Sequence, residues 1–211
     1  MNDFLNTILT GGVAVALITV VGQLLIWYLN DKKLGNKEDE EVTKPVLVEA
    51  FDELTEMQYI LDRVVSNTSV DRFLVLKTEN GGGKPRLGSH LYASVMYESV
   101  AKKLKSVKDD YQRLLVDEIY VKMLSDIGLA IPNKLKVSDM REGILRSIYE
   151  VEGITYSEVH YVGETDDAFF YLSVASGEEG NTFDKPMDRV EIEIAISKIR
   201  NIFEDVIEGN D

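Results

Sequence analysis

The side chains best suited to binding chemistry lie in a glycine-rich segment, Gly81-Gly82-Gly83-Lys84-Pro85-Arg86. Glycine N–H groups beside two cationic side chains suit an anion. The segment lacks the Lys-Ser/Thr pair that opens a helix in a nucleotide-binding P-loop, because Pro85 follows Lys84. The loop of a β-hairpin is therefore the stronger interpretation. If an anionic ligand or an acidic partner binds, Lys84 and Arg86 are the first candidates.

A second group of candidates consists of one histidine and four tyrosines on predicted strands. They are Tyr92, Tyr97, Tyr156, His160 and Tyr171. Such side chains could line a ligand cleft between a sheet and its helices. Aromatic residues on strands more often serve ordinary packing, so both interpretations stay open. The chain's two histidines have no carboxylates at ligand spacing, and the sequence predicts neither a metal site nor a cofactor.

The sequence offers no local arrangement that is typical of an active site. It has no cysteine, which excludes a thiol nucleophile, disulfides and thiolate metal sites. No nucleophile elbow is present. The acidic pairs Asp109-Asp110 and Asp166-Asp167 are adjacent in sequence, so on a strand their side chains would point to opposite faces. We therefore predict that the protein is not an enzyme.

The length and charge of the chain narrow its class further. At 211 residues it has room for a short anchor and one domain. Its formal charge of -14 repels phosphate backbones, so we predict no nucleic-acid partner.

The first thirty residues carry the strongest signal in the sequence. From Phe4 to Leu29 there is no Asp, Glu, Lys or Arg. As a helix, this stretch would reach roughly 39 Å, which exceeds the hydrocarbon core of about 30 Å. Trp27 and Tyr28 suit an interfacial position, and Lys32 and Lys33 follow the span. We predict a membrane anchor over residues 1–30, with the lipid bilayer as partner.

The competing interpretation of this segment is a cleaved signal peptide. A signal peptide needs a basic start and an apolar run of about 7–15 residues, and here the start is not basic and the run is longer. The lysines after the span predict a single-pass protein with its C-terminal domain in the cytoplasm. Gly12 and Ala16 have the small-xxx-small spacing that could support a homodimer.

Residues 31–44 form a predicted acidic juxtamembrane linker, and residues 45–211 a soluble domain. Apolar residues at spacings of three and four predict a helix from Pro45 to about Val65. Runs rich in β-branched and aromatic residues predict strands. These strands are Val70 to Thr78, Leu91 to Glu98, Ile144 to Glu150, Thr155 to Val162 and Ala168 to Ala175.

The connections and the last element complete this order. The first two strands should form one hairpin and the last two another. A helix is predicted between Val107 and Ile127, followed by an irregular stretch from Ile131 to Asp139. After residue 189, the apolar residues fit either a strand or a helix. Asp184 as a cap and Pro186 in a first turn favour the helix.

This order predicts an α+β domain with a central antiparallel sheet and flanking helices. Over most of residues 45–207, the pattern resembles a GAF domain, a small-molecule-sensing relative of the PAS fold. The resemblance lies in the two predicted hairpins and in the helix near Pro186 to Ile207. It implies a ligand pocket between sheet and helices. Because a cyclic-nucleotide signature and a chromophore-bearing cysteine are missing, binding of cyclic nucleotides or bilins is not expected. A kinase output is not expected either, because no second domain to receive a signal is recognised.

Two functional hypotheses follow from these features. The first is a membrane-tethered, non-enzymatic sensory or adaptor module that binds a small ligand or a protein partner. The alternative is a viral or bacterial one-span membrane protein, holin-like or structural, whose soluble domain regulates assembly.

Overall fold

The computed structural model describes residues 46–80, 90–127, 131–165, 168–180 and 183–208. The chain divides into two compact units, Met1–Thr55 and Glu56–Asp211. Of the first unit, the described residues belong to the opening turns of helix α1. The predicted anchor and linker lie outside the described residues. So do the four residues predicted to flank the membrane, Trp27, Tyr28, Lys32 and Lys33. Among the residues that are described, no helix is both long and apolar enough to span a bilayer.

The described part of the chain combines helices with antiparallel strands. The helices are α1 (Val46–Asn67), α2 (Glu118–Ser125), α3 (Ile144–Val151) and α4 (Pro186–Glu208), with a 3-10 turn at Val137–Asp139. The strands are β1 (Arg72–Glu79), β2 (Tyr92–Val100), β3 (Leu114–Leu115), β4 (Asn133–Lys136), β5 (Tyr156–Glu164) and β6 (Phe169–Ser176).

The six strands form one sheet in the order β3-β2-β1-β6-β5-β4. Every neighbouring pair is antiparallel. The predicted hairpins are both confirmed, as β1 with β2 and as β5 with β6. The two hairpins join in the middle of the sheet, where Phe73 pairs with Val174. The predicted class, α+β with a central antiparallel sheet and flanking helices, is therefore confirmed for the described domain.

Helix α1 confirms the helix that was predicted at the start of the domain. Its buried residues in the second unit include Met57, Ile60, Leu61 and Val64, which recur at spacings of three and four. That spacing turns one apolar face toward the sheet. The helix ends where the Thr68 hydroxyl donates to the Val64 carbonyl at 2.7 Å, an arrangement that satisfies a carbonyl of the last turn.

The strand predicted at Ile144 to Glu150 is wrong, because these residues form helix α3. Its buried residues, Leu145 and Tyr149, are four apart and lie on one helical face. Isoleucines and a tyrosine made this segment look like a strand. The decisive contact comes from elsewhere in the chain, since the Asp117 carboxylate accepts the Ile144 N–H at 2.7 Å.

The region between the two hairpins also differs from prediction. The helix predicted between Val107 and Ile127 is confined to α2, and residues 114–115 pair with β2 as β3. Backbone N–H groups at Val107 and Lys108 instead donate to the Glu98 carboxylate, which fixes a turn there. The stretch predicted as irregular contains β4, which forms because β5 supplies its backbone partners.

The last element is helix α4, and the favoured interpretation of this segment is confirmed. The helix begins at Pro186, whose missing N–H costs nothing in a first turn. Buried Ile192, Ile196, Ile199 and Phe203 form its inner face, while Val190 and Ile194 remain exposed. The alternating pattern that suggested a strand was therefore incidental to a helical stripe.

The sheet separates two apolar cores. On one face, α1 and α4 pack on Phe73, Val75, Leu172 and Val174. On the other face, α2, α3 and the connecting turns cover Leu76, Ala93, Val95, Val159, Tyr171 and Ala175. Successive side chains of a strand point to opposite faces of the sheet, so each long strand contributes residues to both cores. The candidate site lies within the second core.

Candidate functional site

A cavity of about 50 Å³ lies between the sheet and helices α2 and α3. Most of its wall is apolar, and the contributing side chains include Leu74, Leu76, Val95, Leu145 and Val159. The polar groups in the wall are Arg72, Tyr111, Tyr120, Tyr149, Glu152, Tyr171 and Ser173. An apolar concave site with a few converging polar groups is the usual form of a small-molecule pocket.

Phenol hydroxyls form the neutral polar part of the cavity wall. The Tyr120 and Tyr171 hydroxyls are hydrogen-bonded at 2.6 Å. The Tyr149 hydroxyl donates to Ser157 Oγ at 3.1 Å, and Ser157 Oγ lies 3.1 Å from Ser173 Oγ. Burial raises the pKa of Tyr120, Tyr149 and Tyr171 above the ordinary value. These phenols therefore stay neutral at physiological pH and act as hydrogen-bonding groups.

A charged group forms another part of the wall. Arg72 Nη2 donates to the Lys105 carbonyl at 2.9 Å and to Glu152 Oε2 at 3.2 Å. The Tyr111 hydroxyl donates to Glu152 Oε1 at 2.9 Å. Burial, and then the hydrogen bond to Glu152, raises the pKa of Tyr111 to about 12. The cavity therefore combines apolar walls, neutral hydroxyls and a charge pair that is already formed.

One carboxylate positions both helices that cover the cavity. Asp117 caps α2 by accepting the Tyr120 N–H at 2.8 Å, and its other oxygen accepts the Ile144 N–H at the start of α3. Gly143 leaves room beside it, because an added Cβ would lie 2.8 Å from Asp117 Oδ2 and 3.1 Å from Ile119 Cδ1. This junction fixes Tyr120 and Leu145 over the sheet.

A second polar cluster lies on the opposite face of the sheet, against α4. Glu158 is 0% exposed and receives two hydrogen bonds from Arg189, at 2.7 and 2.8 Å. The Tyr156 hydroxyl donates to Glu158 at 3.0 Å, and His160 Nε2 lies 3.5 Å from it. Burial alone would raise the pKa of Glu158, but these groups, chiefly Arg189, hold it well below its usual range.

The structure separates the aromatic residues that the sequence grouped together. Tyr156 and His160 lie together in the α4 cluster, and Tyr171 lies across the sheet in the cavity wall. On β2, the Tyr92 ring lies 5.0 Å from the Arg113 guanidinium, and the Tyr97 ring lies 5.7 Å from Lys108 Nζ. The basic pair Lys84 and Arg86 falls outside the described residues.

Six polar residues of the cavity were not among the sequence candidates: Arg72, Tyr111, Tyr120, Tyr149, Glu152 and Ser173. Only Arg72 carried a usable signal. It occupies the same strand face as Leu74, so a charged residue stands where the alternation calls for a buried apolar one. In the described part of the chain, no group of three or more His, Asp or Glu side chains is placed to hold a metal ion.

Comparison of the sequence with family models and with curated proteins finds no match. Solved structures do match the fold. A far-red cyanobacteriochrome photoreceptor is 10% identical, with 89% of this chain and 98% of that chain covered and a TM-score of 0.55. The red-light-absorbing state of a red/green cyanobacteriochrome is 13% identical, with 74% and 95% covered and a TM-score of 0.50.

The GAF domain of a two-component sensor histidine kinase from Bacillus halodurans is 11% identical to this chain. The match covers 76% of this chain and 97% of that domain, with a TM-score of 0.49. The match to the two cyanobacteriochrome structures shows that the chain has a GAF-like fold. At these identities the likeness concerns the fold, so the function of the GAF-like domain has to be argued from its own residues.

Proposed function

We propose that the GAF-like domain is a non-enzymatic sensory module, which binds a small molecule in the cavity between its sheet and helices α2 and α3. The observation that carries this proposal is the cavity itself, with apolar walls and converging hydroxyls and charges. A fold shared with a photoreceptor is compatible with such a role. A volume of about 50 Å³ suits a ligand far smaller than a bilin or a nucleotide.

The proposal includes the statement that the domain is not an enzyme. The hydrogen bonds and pKa values of the polar side chains in the cavity wall support it. The Glu152 carboxylate accepts hydrogen bonds from Arg72 and Tyr111. The Tyr120 and Tyr171 hydroxyls are hydrogen-bonded to each other. A general base has to reach a substrate proton with a free lone pair and a pKa near the working pH. The phenols of this wall have pKa values raised away from that range.

Membrane tethering completes the proposal. The uncharged stretch from Phe4 to Leu29 supports it, and Lys32 and Lys33 after that stretch support a cytoplasmic position for the domain. A tether confines the domain near the bilayer and raises its effective concentration toward partners held there.

The ligand-binding part is tested by filling the cavity. Ala93 lines the cavity, and Ala195 is equally buried in the core against α1 and α4. The full chain in detergent is screened against compounds of up to about six non-hydrogen atoms by its thermal unfolding midpoint. We expect at least one compound to stabilise the wild type and Ala195→Val, but not Ala93→Val. A response that survives in Ala93→Val, or its absence from all three proteins, would contradict the proposal.

The tether is tested by alkaline carbonate extraction of membranes from cells that express the full chain. A membrane-spanning protein should remain in the pellet and be released only by detergent. Release into the carbonate supernatant would rule out the anchor, while leaving the ligand-binding proposal intact.

A further inference from the structure

The guanidinium of Arg72 has a hydrogen-bond donor without a partner. Arg72 is 3% exposed and lines the cavity. Its Nη2 donates to Lys105 and Glu152, and its Nη1 lies 3.8 Å from Glu98 Oε1. Its Nε has no hydrogen-bond partner within the described protein. Buried N–H groups are almost always paired, so this donor marks a place where an acceptor from outside the chain can bind.

The charge around Arg72 is already compensated. Two carboxylates, Glu98 and Glu152, approach the same guanidinium, and the Lys108 ammonium interacts electrostatically with Glu98. Glu98 also accepts backbone N–H groups from Val107 and Lys108, so its oxygens are already hydrogen-bonded within the protein. A ligand anion would face these two carboxylates, and a ligand cation would face Arg72. Either ion would be buried without a free counter-charge, which is costly in a low-dielectric site.

The phenol hydroxyls in the same wall offer both donors and acceptors. Tyr120 and Tyr171 share one hydrogen bond, which uses one of their two hydroxyl hydrogens. The other hydrogen and the remaining lone pairs are available to a ligand. A ligand that pairs with Arg72 needs a strong acceptor, and a polar hydrogen of its own can be accepted by a hydroxyl of the wall.

The volume limits the size of such a ligand. About 50 Å³ corresponds to roughly four water positions, or a molecule of about four non-hydrogen atoms. Apolar side chains such as Leu74, Val95 and Val159 form the rest of the wall and suit a short hydrocarbon portion.

We infer that the cavity recognises a small uncharged molecule with a carbonyl-type acceptor and an adjacent N–H group, the chemistry of a short primary amide. Arg72 Nε–H donates to the acceptor, and a hydroxyl oxygen of the cavity wall accepts the polar hydrogen. This inference rests on the proposed function, since it specifies the ligand class for the same cavity.

Three probes of nearly identical shape separate the ligand classes. Acetate, acetamide and acetamidinium each have four non-hydrogen atoms in a plane, and they carry charges of minus one, zero and plus one. Each is titrated into the full chain in detergent at neutral pH and constant ionic strength, and binding is followed by methyl NMR. We expect saturable shifts of the Leu74 and Val95 methyl groups with acetamide, and at least about tenfold weaker binding of both ions. Equal or tighter binding of either ion would overturn the inference.

The role of Arg72 is tested with a matched pair of variants. Arg72→Lys keeps the charge and removes the guanidinium Nε–H, and Arg63→Lys makes the same change on α1, where Arg63 pairs with Glu191 outside the cavity. We expect acetamide affinity to fall at least about tenfold in Arg72→Lys and to be unchanged in Arg63→Lys. Unchanged affinity in Arg72→Lys would contradict the inference.

A second measurement covers the case in which Arg72→Lys does not fold. The wild-type Arg72 Nε–H signal in a ¹⁵N spectrum should move with acetamide, and an unmoved signal at saturation would overturn the inference. Failure of the inference remains distinct from failure of the proposed function. If no probe binds but another compound gives a response that Ala93→Val abolishes, the cavity is a ligand site and the amide class is wrong.

Discussion

The buried ion pair between β5 and α4 gives the sharpest prediction about stability. Glu158 is fully buried, and Arg189 supplies both of its short charged hydrogen bonds. Arg189→Leu removes these bonds and leaves the carboxylate in the apolar core against α1 and α4. Removing one partner of a buried pair costs about 3–5 kcal/mol, because the remaining charge is uncompensated.

Other polar groups around Glu158 should keep the loss of stability in Arg189→Leu at the lower end of that range. Lys134 Nζ lies 3.6 Å from the carboxylate, His160 Nε2 lies 3.5 Å away, and the Tyr156 hydroxyl remains bound to it. We therefore expect a loss of about 3 kcal/mol. For a domain of this size, that loss lowers the thermal midpoint by about 6–12 °C.

The control is Arg63→Leu. Arg63 on α1 pairs with Glu191 on α4 at 2.8 Å, but both side chains are partly exposed. Exposed ion pairs contribute little, so the unfolding midpoint of this variant should stay near that of the wild type. The assay is thermal unfolding of the full chain, monitored by circular dichroism. Equal losses in the two variants would refute the argument that burial makes the Glu158–Arg189 pair important.

The same pair predicts how the difference between wild type and Arg189→Leu depends on pH. In the wild type the pKa of Glu158 is lowered from the ordinary 4.5, so its stabilisation is complete above that value and is lost as pH falls below it. In Arg189→Leu, burial dominates and raises the pKa of this carboxyl, so acid favours the folded variant. The difference in unfolding free energy between the wild type and Arg189→Leu should therefore become smaller as pH falls below about 5. A difference that grows in acid would contradict the assignment.

Three further predictions concern the cavity and its supports. Tyr120→Phe and Tyr171→Phe should each cost about 1–3 kcal/mol in urea denaturation, because each leaves a buried hydroxyl unpaired, and the double variant should cost less than their sum. Glu152→Gln should lower the pKa of Tyr111 from about 12, but not to the ordinary 10.0, because burial persists; NMR titration of the tyrosine rings tests this. Gly177→Ala should cost about 1–3 kcal/mol in urea, because the added Cβ would lie 2.6 Å from the Gly153 carbonyl oxygen; unchanged stability would contradict this crowding.

The elements that could be predicted from the sequence are those whose signals are local. The face of α1 with Met57, Leu61 and Val64 repeats within the helix, and each hairpin joins strands that are close in sequence. The sequence-based predictions were wrong where the element depends on a partner that is distant along the chain. Helix α3 contains strand-favouring residues, and Asp117, 27 residues earlier, fixes its first turn. Strand β4 is short and takes its backbone partners from β5.

The cavity could not be predicted for the same physical reason. Arg72 belongs to β1, Tyr120 to α2 and Tyr171 to β6, so only the folded sheet brings their polar groups to one wall. The aromatic candidates do not all share one face of the sheet, because strand parity places Tyr156 and Tyr171 on opposite faces. A sequence pattern of aromatics on strands does not specify which face each strand presents to which helix.

Xenon binding to the full chain, observed by methyl NMR, tests the central claim most directly. Xenon enters accessible apolar cavities and carries no charge, so it reports the space independently of ligand class. We predict saturable shifts for methyl groups that line the cavity, such as those of Leu74 and Leu145, and none for Ile192 and Ile199 in the core against α4. Equal shifts on both faces of the sheet, or none on either, would contradict an accessible ligand cavity on the α2–α3 side.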